Sequence, residues 1–281
     1  MVSIIIPTYK PRSLLPQIVE KLDFQTKKIK TKVELIIVKD TLERFEELEK
    51  IKESSNNLEI YIFSQPHQGP AQARNLGIKK SRGQIICFLD DDAVPSTEWL
   101  FQIINSFETE SADIVSGKIL SLIRDTNSLP YLLEKSVYVP QKRFATCNIA
   151  YKREVFKKVG LFDTRFKLAS WEDNDLGVRA RLKGFKHVYN KKAIVFHSHE
   201  ENLQEFKEKC IRNGRGLCVF TKKYLFKYPH LVVFFLFLTF KGIFWVNFTF
   251  LFKGYLKKIF YLKFLWSWYS LKGFIKEWFR K

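Results

Sequence analysis

The stretch "IICFLDDDAVP" (Ile85–Pro95) decides how the chain is read. Five apolar residues, Ile85 to Leu89, run directly into Asp90, Asp91 and Asp92. A continuous apolar run closed by polar residues is the pattern of a strand covered on both faces. Three successive carboxylates repel one another and resist desolvation. Two readings account for them. Water solvates an aspartate-rich turn that caps the next helix, or a divalent cation sits among the carboxylates. Hard Mg2+ and Mn2+ take carboxylate oxygens and bind substrate phosphates alongside.

Working outward, strand and helix signals alternate over the first 120 residues. Val2 to Ile6, "VELIIV" (Val33–Val38), "LEIYIF" (Leu58–Phe63) and Gln84 to Leu89 read as strands. Leu15, Ile18, Val19 and Leu22 recur at helical spacing, as do Leu42, Phe45, Leu48 and Ile51. Ala71 to Lys80 and Glu98 to Phe107 read as two further helices. Strands separated by helices imply right-handed crossovers and an α/β fold with a mostly parallel central sheet. Ligands then bind beyond the carboxyl ends of the strands. Pro7-Thr8-Tyr9, Lys39-Asp40-Thr41 and Asp90-Asp91-Asp92 all fall at such ends, so three strands deliver polar groups to one rim. That position favours the cation reading of the aspartates. No glycine precedes Gly69, which excludes a glycine-rich dinucleotide loop or a P-loop at the first turn.

The second half is less regular. "TCNIAYKREVFKKVGLFDTRF" (Thr146–Phe166) suggests a strand, a short helix and a turn at Gly160. "SWEDNDLGVRARLKG" (Ser170–Gly184) suggests a helix ended by Gly184. "HVYNKKAIVFHSH" (His187–His199) suggests a strand pair. The charge of +19 favours anionic partners. Cys87, Cys147, Cys210 and Cys218 lack CxxC spacing, which argues against a disulfide framework or a zinc site and suits a reducing compartment. The N-terminus shows no basic region and reads as no signal peptide.

"SIIIPTYK", "LIIVKD", "GPAQARNLGI", "GQIICFLDDDAVP", "VGLFD" and "WEDNDLGVRARLKGF" occur in an order that resembles family-2 glycosyltransferases of the GT-A fold, over about residues 1–200. The resemblance implies a Rossmann-like domain over 1–205; composition adds a helical connector (206–228) and a membrane-associating helical region (229–281). It implies a nucleotide-diphospho-sugar donor, UDP-sugar favoured, bound by Pro7, Thr8, Tyr9, Asp40, Arg74, Asp90 and Asp91. It implies Mn2+ or Mg2+ on Asp92, Asp90 and His197. Asp173 takes the part of catalytic base, with Glu172 as its partner or the second choice, and transfer inverts the anomeric centre. Lys39 departs from the family's double-acid pattern and leaves the nucleobase open. Other readings stand beside these roles. Thr8 caps the helix after Pro11, Arg74 pairs with a carboxylate, Ser170 and Asp173 form a capping box, and Trp171 stacks on an acceptor sugar or lies in the core.

Composition changes after Pro229. Leu231 to Phe252 would reach about 33 Å as a helix, enough for a hydrocarbon core. Lys241 near its middle would cost about 3 kcal/mol in lipid. Lys253 to Lys281 carries eight basic residues beside aromatic ones. Trp268, Leu271, Ile275 and Phe279 form one stripe of an amphipathic helix suited to anionic lipid. These residues predict attachment to the cytoplasmic side of the cell membrane and a glycan or lipid-linked acceptor. Two rival functions are a sugar nucleotidyltransferase and a membrane-associated nucleic-acid-binding protein. The first lacks its glycine-rich loop, and the second leaves the carboxylates at three strand ends unexplained. No nucleic-acid partner is expected.

Overall fold

The computed structural model describes residues 1–55, 57–123, 125, 128–129, 131–132, 144–168, 170–197, 202–245 and 254–280. Its strands are β1 (Val2–Thr8), β2 (Val33–Lys39), β3 (Glu59–Ser64), β4 (Ile85–Phe88), β5 (Ala93–Pro95), β6 (Ile114–Ser121), β7 (Ile149–Lys152) and β8 (His187–His197). They form one sheet in the order β3-β2-β1-β4-β7-β6-β8-β5. The β3-β2-β1-β4 half is parallel. β7 runs antiparallel to β4 and β6, and β5 antiparallel to β8. Strand order reverses at β1, which has β2 on one side and β4 on the other, so the crevice for a ligand opens at the ends of these strands.

The apolar runs are continuous because helices cover both faces, and alternate residues serve opposite cores. Ile4, Ile6, Leu35, Ile37, Cys87 and Leu89 face one cluster, with Leu15, Ile18 and Leu22 of α1 (Leu15–Thr26) and Trp99, Leu100 and Ile103 of α4 (Trp99–Thr109). Leu48 and Ile51 of α2 (Glu46–Ser54) join it. Ile5, Ile36, Val38, Ile86 and Phe88 face the other, with α3 (Pro70–Lys80), α5 (Arg153–Val159) and α6 (Glu172–Leu182). α3 starts where the residues require it: Pro70 fixes the first turn and Gly69, at φ 92°, takes a left-handed conformation. A Cβ at Gly69 would lie 2.7 Å from the Lys167 carbonyl oxygen. Gly77 lets α3 sit close on β1, where a Cβ would come within 2.5 Å of Ile5.

One ion pair is built into the sheet. Glu34 of β2 is 1 % exposed. Its Oε1 accepts from Ser3 Oγ and from the Arg82 backbone N–H, each at 2.6 Å, and its Oε2 accepts from Arg82 Nε at 2.9 Å. Burial pushes the Glu34 carboxyl up, but Ser3 and Arg82 outweigh it and hold the group below its ordinary value of 4.5. A lowered carboxyl stabilises the fold above its unfolded value, and that contribution is lost as pH falls through the folded value. Glu34→Gln is therefore expected to cost about 1–3 kcal/mol at pH 7. The gap from wild type should narrow steadily below about pH 4.5. Urea midpoints across that range check it. A gap that stays constant with pH would assign the loss to packing.

The chain divides into two compact units. The first comprises Met1–Leu120, Gln141–Lys167 and Asp173–His197, and holds the sheet. The second comprises Ser121–Pro140, Leu168–Glu172 and Ser198–Lys281. It holds α7 (Leu203–Tyr224), α8 (Pro229–Trp245) and α9 (Gly254–Trp278). Asn202 caps α7 by accepting from Glu205 N–H at 3.0 Å. α7 and α9 meet backbone to backbone at Gly214 and Gly273, and Arg215 pairs with Glu277 at 2.8 Å.

Two expectations are corrected, and one open alternative, at Trp171, is decided. His187 to His197 form one long strand, not a strand pair, because both of its ends pair elsewhere in the sheet. Trp171 is a core residue, packed on Phe220 and Phe235 with its Nε1–H on Asn213 Oδ1 at 3.0 Å. Attachment to the cytoplasmic side of the cell membrane through the C-terminal region is overturned, since among the described residues no helix is long and apolar enough to cross a membrane. α8 has 17 residues, and its length of about 26 Å falls short of a hydrocarbon core of about 30 Å. Residues 246–253 lie outside the described ones. α9 turns Leu262, Leu265, Ser267 and Ser270 inward, and Ser267 Oγ donates to the Thr239 carbonyl of α8 at 2.8 Å. Of the expected stripe, Trp268, Ile275 and Phe279 stay exposed.

Candidate active site

β1 ends at Thr8, whose carbonyl accepts from Asp40 N–H at 2.7 Å and whose hydroxyl donates to Asp91 Oδ2. Thr8 thus ties the end of β2 to the loop after β4, and caps no helix. Asp40 is filled by its own chain. Oδ1 accepts from Gln65 Nε2 at 2.6 Å and Gln68 N–H at 2.9 Å, and Oδ2 accepts from Gly69 N–H at 2.8 Å. His67 Nδ1 stands 3.0 Å from Oδ2, and its exposed ring lies 4.5 Å from that of Tyr9. Lys39 turns away into the following loop, where Nζ donates to the Glu43 carbonyl at 2.7 Å.

The aspartate loop is a tight turn, with Ala93 N–H donating to Asp90 O at 3.1 Å. β5 then pairs Ala93 with His197. That pairing sets His197 Nε2 3.2 Å from Asp92 Oδ1 and 3.8 Å from Asp90 Oδ2. Arg74, buried on α3, donates to Asp90 Oδ1 at 3.0 Å. Arg12, on the loop before α1, places Nη1 2.7 Å from Asp92 Oδ2 and Nε 3.6 Å from Asp91 Oδ1.

These neighbours split the three carboxyls. Burial pushes Asp90 up, but His197 and Arg74 outweigh it and hold it down to about 2. Burial raises Asp91 to about 6, with Asp92 and Asp90 adding to the rise against Thr8 and Arg12. Asp92 is also raised, by burial first and by Asp90, with His197 and Arg12 opposing. Asp90 is thus the fixed anion of the group.

Asp173 stands in the first turn of α6, half-buried, its Oδ1 accepting from Asn174 N–H at 2.7 Å. Arg179 of the same helix bonds Asp175 at 2.9 Å and the Leu161 carbonyl at 2.8 Å. The side-chain amide of Asn75 on α3 donates to the Phe162 carbonyl and accepts from the Phe162 N–H, each at 2.9 Å. The turn after α5 therefore fixes α6 relative to α3. Burial raises the Cys147 thiol well above the ordinary range, and the charges of Asp90, Asp92 and Asp173 raise it further. Asp173 and Arg74 also act on the buried Tyr151 hydroxyl. Glu172 is the first residue of α6 and is 3 % exposed.

Pro7, Thr8, Tyr9, Asp40, Arg74, Asp90, Asp91, Asp92, Asp173 and His197 all belong to the first unit. His199 lies outside the described residues. The residues that sequence reasoning missed are Arg12, His67 and Cys147. Arg12 and His67 sit in loops without a periodic signal. Cys147 was legible in principle. Phe88 pairs with Ile149 antiparallel, and that register carried two residues further sets Cys147 opposite Asp90.

The residues fit a divalent ion. Asp90, Cys147 and His197 each offer a ligand atom, all within 4.8 Å of one another. Asp92 stands on the same imidazole.

A family model described as "Glycosyl transferase family 2" matches residues 3–160. The pre-mycofactocin glycosyltransferase of Mycobacterium tuberculosis is 28 % identical over 167 residues, 53 % of this chain and 34 % of that protein. The chain thus spans about a third of that relative's length. The mannosyltransferase PcManGT of Pyrobaculum calidifontis, solved with GDP-Man and Mn2+, superposes with a TM-score of 0.62 at 16 % identity, over 98 % of this chain and 73 % of that one. TarS (residues 1–349) of S. aureus, solved with UDP, superposes with a TM-score of 0.55 at 18 % identity, over 77 % and 65 %. At such identities the two structures bear on the fold, which is GT-A.

Proposed function

Because the chain belongs to glycosyltransferase family 2, we propose that it transfers a sugar from a nucleotide-diphospho-sugar to a hydroxyl of a glycan or lipid-linked acceptor, with inversion. The observation that carries this reading is the gathering of Asp90 and Asp92 on the His197 imidazole, 3.8 and 3.2 Å away, at the end of β4. Family membership favours transfer over the nucleotidyltransferase and nucleic-acid readings.

The donor lies across the ends of β1, β2 and β4. Tyr9 and His67 offer ring faces to the nucleobase. The base edge reaches Asp40 by taking the place of the exposed His67, while the bonds from Gln65, Gln68 and Gly69 of the same loop hold the carboxylate in place. Asp91 serves the ribose. A divalent ion held by Asp92, Asp90 and His197 would supply positive charge for the departing diphosphate. Arg74 keeps Asp90 ionised and in place for it. Asp173 takes the proton from the acceptor hydroxyl, which attacks the anomeric carbon opposite the leaving group. One displacement inverts that centre.

A thermal-shift panel of UDP-, GDP- and dTDP-sugars with and without Mn2+ tests it. A donor at a hundred times its Kd is expected to add about 2.7 kcal/mol of apparent stability. One nucleotide, UDP first, should raise Tm only with the ion present. No rise with any sugar nucleotide would remove the reading.

A further inference from the structure

We propose that Cys147 is a sulfur ligand of the ion site, which gives this chain a mixed oxygen, nitrogen and sulfur donor set that prefers Zn2+ or Co2+ to Mg2+. The inference rests on the reading that the aspartate rim holds a divalent ion.

Three separate elements contribute: Asp90 follows β4, Cys147 precedes β7 and His197 ends β8. Their ligand atoms lie within 4.8 Å of one another. The ordinary role of a buried cysteine is that of a small apolar residue, and Cys87 has that role inside β4. Cys147 differs in its company. Its sulfur lies within 4.8 Å of ligand atoms of Asp90 and His197, which are common to both candidate donor sets. Asp90 and His197 are shared; Asp92 completes an oxygen-rich set and Cys147 a sulfur-containing one.

The distinction has chemical consequences. Mg2+ demands oxygen ligands and keeps its waters. Thiolate with imidazole and carboxylate suits Zn2+ and Co2+, which accept four-coordinate sites. Binding replaces the S–H bond of Cys147 by a sulfur–metal bond, and the proton leaves to solvent. Nothing is oxidised or reduced. The ion position then becomes a point of competition: Zn2+ enters tightly through sulfur, and Mn2+ enters through oxygen.

Cobalt reports the sulfur directly. The reduced, metal-free 281-residue chain is titrated with Co2+ and its absorption recorded. Expected are visible d–d bands together with an intense near-ultraviolet sulfur-to-cobalt band, saturating together and displaced by Zn2+. Cys147→Ser should keep the visible bands, lose the near-ultraviolet one, and weaken Zn2+ binding about tenfold or more, with Mn2+ binding little changed. Circular dichroism checks that the variant folds. If it does not, retention of the near-ultraviolet band in each of Cys87→Ser, Cys210→Ser and Cys218→Ser assigns it to Cys147, and its loss in one of them overturns the proposal. Visible bands without the near-ultraviolet band in wild type overturn the sulfur ligand and leave the oxygen site standing. No cobalt bands at all overturn the ion site itself, and with it the metal part of the proposed function.

Discussion

Asp173→Asn is expected to lower the transfer rate by about 10²–10⁴-fold, the contribution of a positioned general base, with donor binding unchanged. Asn keeps the shape of the side chain and an oxygen for the Asn174 N–H. What it loses is the ability to take a proton. Removing a negative charge from the first turn of α6 costs only about 0.3–1 kcal/mol through the helix dipole, too little to unfold a domain of ordinary stability. The rate and the fold are therefore separable. Single-turnover transfer and donor thermal shift, measured on one preparation, show it. A variant with full rate would pass the role to Glu172, and Glu172→Gln would then carry the loss. Full rate in both variants would end the proposal of a carboxylate base on this helix.

Asp92→Ala should abolish the ion-dependent part of donor binding and reduce transfer by about 10²–10³-fold, the range for removing one group that stabilises charge in the transition state. Asp92 is the carboxylate between His197 and Arg12, at 3.2 and 2.7 Å. The variant leaves the Arg12 guanidinium with less counter-charge, so it should also repel added Mn2+. The readout is the difference in Tm with UDP-sugar, with and without Mn2+. In wild type the ion should widen that difference; in the variant the two curves should coincide. A widening that survives the substitution would place the ion elsewhere.

Much of the parallel half was legible because its signals are local. Buried-strand runs such as Val33–Val38 are long, apolar and bounded, and the helices between them keep their period. The aspartates gained meaning from being at a strand end. Other features depend on partners distant in sequence. β5 has three residues, too few for any periodicity, and it exists because β8 offers an edge. His187–His197 alternates weakly, and its charged centre at Lys191 and Lys192 reads as a turn until the pairing at both ends is seen. Glu34, a charge inside an apolar run, is explained only by Ser3 and Arg82, 31 and 48 residues away. In the C-terminal region, composition alone did not separate a membrane-facing surface from the faces that helices present to each other. Gly214 and Gly273 allow α7 and α9 to approach closely, a pattern that a hydropathy window does not register.

Arg12 gives the resting protein a counter-ion of its own. Its guanidinium, 59 % exposed, holds the oxygen of Asp92 that an incoming cation would need. On the proposed function, a pyrophosphate entering the rim would draw the same guanidinium outward and vacate the carboxylate. Donor and cation then assist each other thermodynamically: whatever factor one adds to the other's affinity is returned in equal measure. Trimming Arg12 to Ala should weaken the coupling, leaving only the part that passes directly between ion and diphosphate.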